Sequence, residues 1–314
     1  MGRLPAPGRP CITRRGSPTD TRRTHLRMPT GVERGGPLWQ ARRSRAVALQ
    51  TERPHAASLL NSYLGVLDCQ EPLYKTSRDA RWPDLYNPES NPPPRLRLER
   101  LPYESLARPF GEFVREVQKV MPETLAPAAM ALDTGNLSLN ADVLQDTALR
   151  QPLSASIQSL QIEVTALEFF CRAFLQPIVE ALAHRQDRPL NQAGATVCPL
   201  CNWPPQFATL QDETEVQGRR SLICALCSVE WPFPRTVCIK CGEASAESLN
   251  YHVADSLPYM RVEACNSCRT YIKVADLRTK GLLAPVVDEL ASIELDLWCK
   301  EHGLTKHQPN LLGM

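Results

Sequence analysis

Between residues 42 and 184 apolar side chains recur at three- and four-residue intervals, the signature of helices that bury one face. Ala46–Gln50 and Ala57–Leu67 carry short amphipathic runs broken near Pro54, and the proline-rich stretch Trp82–Pro94 reads as a loop by its turn chemistry. Leu106, Phe110, Phe113, Val117 and Met121 then predict a helix with Pro109 near its first turn. The longest stripe, Leu160, Val164, Leu167, Cys171, Phe174, Ile178 and Leu182, predicts a helix over about 154–184. Cys171 lies on that stripe and reads as a buried small hydrophobe. Past the polar link Arg185–Gly194 the period changes. Gln206–Leu210, Arg220–Cys224, Leu249–Val253, Met260–Ala264 and Thr270–Val274 are short strand candidates. Helical spacing returns with Pro285, Val286, Leu290, Ile293 and Leu297, and Gly303 is a natural stop. The final helix has too little ribbon of its own to cover it, so it is expected to pack back on the strands or on the helices. The class is α+β: an N-terminal all-α domain, two small β modules in tandem and a C-terminal helix.

The strands are punctuated by eight cysteines within 71 residues, falling as four C-x-x-C pairs: Cys198/Cys201, Cys224/Cys227, Cys238/Cys241 and Cys265/Cys268. Two residues between thiolates let a tight turn aim both sulfurs at one ion, and two such turns complete a closed tetrahedral site. Eight thiols therefore imply two ions. The region also repeats itself: Cys198 to Cys224 spans 26 residues and Cys238 to Cys265 spans 27, with Arg220 and Arg261 each four residues before a second knuckle. Pairing neighbours assigns Cys198, Cys201, Cys224 and Cys227 to one ion, and Cys238, Cys241, Cys265 and Cys268 to the other. An interleaved pairing of first with third knuckle is the alternative, since spacing alone does not fix partners. A knuckle favours positive φ just after its second cysteine. Gly242 supplies this freely and Asn202 tolerates it, whereas Ser228 and Arg269 suit it less.

Charge sharpens the organisation. The first fifty residues hold eleven arginines against Asp20 and Glu33, leaving 25 basic and 32 acidic residues in the rest of the 314. An arginine-, proline- and glycine-rich opening with almost no apolar period reads as a disordered basic tail. Its twin arginines lack the apolar run of an export signal. No stretch approaches the roughly 18 apolar residues of a membrane span. Regular C-x-x-C pairs without a secretory signal point to reduced thiols in the cytoplasm.

Four thiolates fill a tetrahedral ion, so the centres are expected to be structural, with zinc or a rubredoxin-type iron as the ion. No phosphate loop, H-E-x-x-H or G-x-S-x-G is present, so no catalytic and no organic-cofactor residues are assigned. His184 stands at a helix end, and His252 lies between knuckles as a conceivable substitute ligand. Cys11, Cys69 and Cys299 have no cysteine partner at ligand spacing. Two other functions compete: a thiol redox protein, and a nucleic-acid-binding zinc ribbon. Residues 198–273 carry seven Lys and Arg against eight Asp and Glu, which is not the clustered positive face a polyphosphate needs. The expectation is no nucleic acid and no membrane, and a homodimer is compatible with the sequence.

Cys198-Pro199-Leu200-Cys201, Arg220 through Cys227 with Glu230-Trp231, Arg235 before Cys238-Ile239-Lys240-Cys241-Gly242, Arg261 through Cys268 with Tyr271-Ile272-Lys273, and the Pro309-Asn310-Leu311-Leu312 ending together resemble the FdhE family of formate dehydrogenase accessory proteins. The resemblance covers about residues 40–314, more loosely over the helices. Asn202 stands where the family usually has glycine, and the basic opening has no counterpart. The resemblance implies a non-catalytic assembly factor, required for active formate dehydrogenase, that binds the catalytic subunit of this molybdenum or tungsten enzyme and holds iron in rubredoxin-like modules. The expected divisions are a tail over 1–41, a helical domain over 42–192, four-cysteine ribbons over 193–234 and 235–275, and a helix with its tail over 276–314.

Overall fold

The computed structural model describes residues 36–87, 94–159, 162–185, 192–213, 216–281 and 283–313. The basic opening up to residue 35, with Cys11, lies outside these. Helix α1 (Gly36–Glu52) begins six residues before position 42, so the last residues assigned to the tail, 36–41, are helical. Helices α2 (Ala57–Asp79), α3 (Tyr103–Gln118), α4 (Ala126–Leu132), α5 (Leu137–Leu149), the short α6 (Ala155–Gln158) and α7 (Val164–His184) follow. Asn136 caps α5 by accepting the Leu139 amide, and Arg150 closes it in the left-handed region at φ 55°. Pro109 sits in the second turn of α3, past the first-turn position expected for it. The helix expected over 154–184 divides, with α6 and α7 as separate pieces.

Helix α7 is the axis of the helical layer. It packs on α2, α3, α4 and α5, and nearly every residue from Ala166 to Ala183 is buried, so it is covered on all sides and not along one stripe. Phe174 meets Phe110 and Phe113 of α3 at ring separations of 5.2 and 5.4 Å.

The strands are β1 (Pro205–Gln211), β2 (Arg219–Cys224), β3 (Glu230–Pro232), β4 (Leu249–Val253), β5 (Met260–Cys265) and β6 (Thr270–Asp276). Helices α8 (Pro285–Ala291) and α9 (Ile293–Glu301) and the two-residue β7 (Thr305–Lys306) complete the chain. Each ribbon is antiparallel within itself, β1–β2–β3 and β4–β5–β6. The ribbons fuse into one sheet of order β3-β2-β1-β6-β5-β4, because β1 pairs β6 in parallel through Ala208↔Val274, Thr209↔Ala275 and Leu210↔Asp276. The first strand of one copy thus meets the last strand of the other, a junction of non-equivalent edges.

Two cores result. The larger runs from the helices into the first ribbon, taking in Leu200, Trp203, Leu222, Leu226 and Trp231. The smaller lies between the second ribbon and α9, built from Tyr259, Met260, Val262, Tyr271, Leu295 and Cys299. The terminal helix expected as one piece is two. Lys273, fully buried, donates from Nζ to the Glu289 carbonyl at 2.6 Å and to Ser292 Oγ at 3.0 Å, and the helical ladder stops at Ser292. The same ammonium pairs with Asp296 at 2.6 Å and Glu289 at 3.0 Å, and Lys306 joins both carboxylates from β7. Helix α8 then packs on α1, α2 and β1, and α9 on the second ribbon, so the two pieces cover both surfaces. Among the described residues no helix is long and apolar enough to cross a membrane.

Candidate metal centres

Each C-x-x-C is a tight turn that makes one or both of two backbone hydrogen bonds. The amides of Asn202, Gly242 and Arg269 donate to the carbonyls of Cys198, Cys238 and Cys265 at 2.9–3.0 Å. The amides of Cys198, Cys224 and Cys238 reach the carbonyls of Trp203, Val229 and Glu243 at 2.8–3.0 Å. Such a turn needs a left-handed residue after its second cysteine, and all four positions have it: Asn202 (φ 63°), Ser228 (54°), Gly242 (76°) and Arg269 (57°). Ser228 and Arg269, which suited this less well in sequence, adopt it too, and each is held from the side. Ser228 Oγ donates to Glu180 at 2.6 Å, and Arg269 donates to the His302 carbonyl at 2.5 Å.

The knuckles meet as neighbours. Cys198, Cys201, Cys224 and Cys227 form one group and Cys238, Cys241, Cys265 and Cys268 the other, with the four sulfurs of each within 4.8 Å of one another. In the first group the Sγ atoms of Cys198 and Cys227 are 3.5 Å apart and those of Cys201 and Cys224 are 3.4 Å apart. In the second, Cys238–Cys268 and Cys241–Cys265 are each 3.7 Å apart. A tetrahedral ion with sulfur at about 2.3 Å requires edges of about 3.8 Å, so both tetrads are near the size an iron or zinc ion fills. The amides of Leu226 and Cys227 donate to Cys224 Sγ at 3.4 and 3.5 Å.

Electrostatics make the same demand for a cation. Burial pushes the Cys201 and Cys227 thiols well up, whereas Cys198, equally buried, is held well below the usual thiol range by hydrogen bonds from Cys201, Cys224 and Cys227. In the second group burial pushes Cys238 up to about 12, while Cys268, burial notwithstanding, is brought down to about 7 by hydrogen bonds from Thr270 and its cysteine neighbours. Within each tetrad, burial and the neighbouring thiols thus push individual cysteines in opposite directions. A bound cation supplies the charge that lets all four ionise.

The surroundings differ. All four thiols of the first group are at most 2% exposed, while in the second Cys241 is exposed and Cys268 half-buried. Three polar residues of α7 stand at four-residue spacing: Gln176 and Glu180 hold the first group from behind, and Arg172 lies over the ring of Trp203 beside it. Gln176 Nε2 donates to the Ala225 carbonyl at 2.9 Å, between Cys224 and Cys227. Glu180 accepts from Arg42 of α1 at 2.8 and 3.0 Å and from Ser228, and Arg42 also reaches Ser228 Oγ at 3.1 Å. Arg172 donates to the Asn310 carbonyl at 2.9 Å. Trp203 Nε1 donates to the Ala148 carbonyl, and the Leu96 amide to that of Leu200, both at 2.8 Å. The sequence carries a signal for this triad in three polar residues four apart along the apolar stretch of α7, which apolar periodicity alone leaves unexplained. Around the second group the comparable contact is Ser267 Oγ donating to Glu243 at 2.7 Å.

The remaining candidates lie apart from both groups. His252 packs against Trp298 with ring centres 4.7 Å apart and the ring planes tilted by 47°. His184 meets the Tyr74 hydroxyl at 2.9 Å, at the end of α7. Cys171 is buried in α7, where burial pushes its thiol up to about 12, Cys299 is buried beneath the second ribbon, and Cys69 is half-buried on α2.

Comparison with known proteins agrees with this arrangement. Residues 197–235 match the family model described as FdhE, central domain, and 237–312 match FdhE, C-terminal domain. Over 276 residues the chain is 28% identical to the protein FdhE homolog of Aquifex aeolicus, covering 86% of this chain and 93% of that one. It is 32% identical over 139 residues to the homolog of Stutzerimonas stutzeri, covering 44% and 43% of the two chains. The crystal structure of the FdhE protein from Pseudomonas aeruginosa superposes with a TM-score of 0.66 over 88% of this chain and 95% of that one, and at 22% identity it speaks for the fold.

Proposed function

Because this chain belongs to the FdhE family, we propose that it is a non-catalytic accessory protein in the formation of active formate dehydrogenase, binding the enzyme's catalytic subunit in the cytoplasm. Cys198, Cys201, Cys224 and Cys227 hold one iron or zinc ion, and Cys238, Cys241, Cys265 and Cys268 hold a second. Both ions have four protein ligands, so neither keeps a position for substrate, and their work is to shape a surface. The observation that carries this reading is the pair of sulfur tetrads at tetrahedral spacing on one fused sheet.

The test replaces Cys238 and Cys241 together by serine in the full chain. Bound metal is expected to fall from two ions to one, with loss of formate dehydrogenase activity in cells and of the accessory protein's co-purification with the catalytic subunit. Retention of full activity alongside loss of one ion would show that the second centre is dispensable and would overturn its role in the client surface.

A further inference from the structure

Between the third knuckle and the open face of β4, β5 and β6 lies a cleft of about 410 Å³, within the range of about 300–1,000 Å³ typical of small-ligand sites. Ile239, Leu249 and Ile272 give it apolar walls, and Tyr251 adds an aromatic one. Apart from the second cysteine tetrad on one wall, its charged side chains are Arg220, Arg235, Lys240 and Arg261 against one acid, Glu263. That acid is already occupied, by Arg220 at 2.9 Å and by Arg261. Among the described residues Arg235 and Lys240 at the rim have no carboxylate partner, and the buried Nε of Arg220 has no hydrogen-bond acceptor. His307 closes the far side with both ring nitrogens buried and unbonded. Burial, followed by the charges of Lys240, Arg150 and Arg220, pushes its pKa down to about 4, so the ring is neutral and retains one N–H to offer.

We propose that this cleft binds an organic oxyanion, a carboxylate or phosphate carried on an apolar or aromatic body. Arg235 and Lys240, exposed at the rim and without carboxylate partners among the described residues, pair with the oxyanion, while the Arg220 guanidinium and the His307 ring form the polar wall behind it. The body of the ligand rests on Ile239, Leu249 and Tyr251. Cys238 and Cys265 also line the cleft, so the ligand lies against the second sulfur tetrad. Binding requires no client protein and stands or falls separately from the accessory role.

The experiment is isothermal titration of the full-length protein with phenyl phosphate, benzoate and the neutral benzyl alcohol. One equivalent of at least one anion is expected to bind about tenfold or more tighter than the alcohol, and whichever anion prevails identifies phosphate or carboxylate as the head group. Lys240→Gln and Arg235→Gln, both at exposed positions, should each raise that Kd by about fivefold or more, while Arg97→Gln, remote from the cleft, leaves it unchanged. The proposal is overturned if neither anion saturates below about 10 mM, if the alcohol binds as well as both anions, or if the double variant at 235 and 240 binds like the parent.

Discussion

The two four-cysteine centres are built from the same turn and differ in what surrounds them. The first is sealed into the helical core: its thiols are buried, its loops are hydrogen-bonded by Gln176, Trp203 and Arg42, and its left-handed Ser228 is tied to Glu180. The second stands on a thinner foundation, with Cys241 in solvent and a small core shared with α9. Internal repetition therefore does not dictate equal roles. The copies meet through β1 and β6, strands that are not counterparts, so their knuckles cannot occupy equivalent environments. The first centre is fitted to hold the architecture together, and the second to present sulfur, cations and aromatic surface outward.

The largest effect that could break this contrast comes from the ligands themselves. Cys224→Ser is expected to leave the protein insoluble or to lower its thermal midpoint by more than about 10 °C, since losing a buried structural ion forfeits much of the folding free energy. Cys241→Ser should lower it by less than about 5 °C. Thermal unfolding followed by circular dichroism reads both, and equal shifts would erase the distinction between the centres.

A smaller effect isolates the support behind the first centre. Glu180→Ala leaves the Arg42 guanidinium buried without its partner and should cost about 3–5 kcal/mol. Ser267→Ala, which removes the hydroxyl linking the knuckles of the second centre through Glu243, should cost about 1 kcal/mol or less. Urea denaturation of the two variants compares them directly. The smallest effect concerns the turns. Asn202 sits at φ 63° and Gly242 at 76°, so Asn202→Gly should stabilise by about 0.5 kcal/mol while Gly242→Ala should destabilise by about 1 kcal/mol. Denaturation midpoints of opposite sign would sharpen the view that both centres share one turn.

Much of this was legible in the chain. The stripe Leu106, Phe110, Phe113 and Val117 lies buried in α3, and strand runs such as Met260–Ala264 fall where alternation put them, because burial of one face leaves a periodic trace. Cysteine spacing identified the tight turns, whose geometry is local. What periodicity could not reveal depended on contacts far apart in sequence. Arg172, Gln176 and Glu180 look like breaks in an apolar stripe until Asn310 of the C-terminal tail and Ala225 and Ser228 of the first ribbon supply their partners. The interruption at Ser292 arises because Lys273, on a strand, takes a carbonyl that the helix would otherwise use. The seam between β1 and β6 leaves no local mark, since a parallel pairing is specified by where both strands are carried and not by the turn between them.

The seam also sets an order of events on the ribosome. All four ligands of the first centre and the whole helical layer are synthesised before Val274, yet β1 has no parallel neighbour until β6 emerges. A nascent chain that has already brought its first two knuckles together still presents a bare strand edge, and such edges recruit stray strands. Completion of the second ribbon is thus what retires that hazard, and a messenger truncated between Cys227 and β6 would yield a sticky product with only the first cysteine tetrad complete.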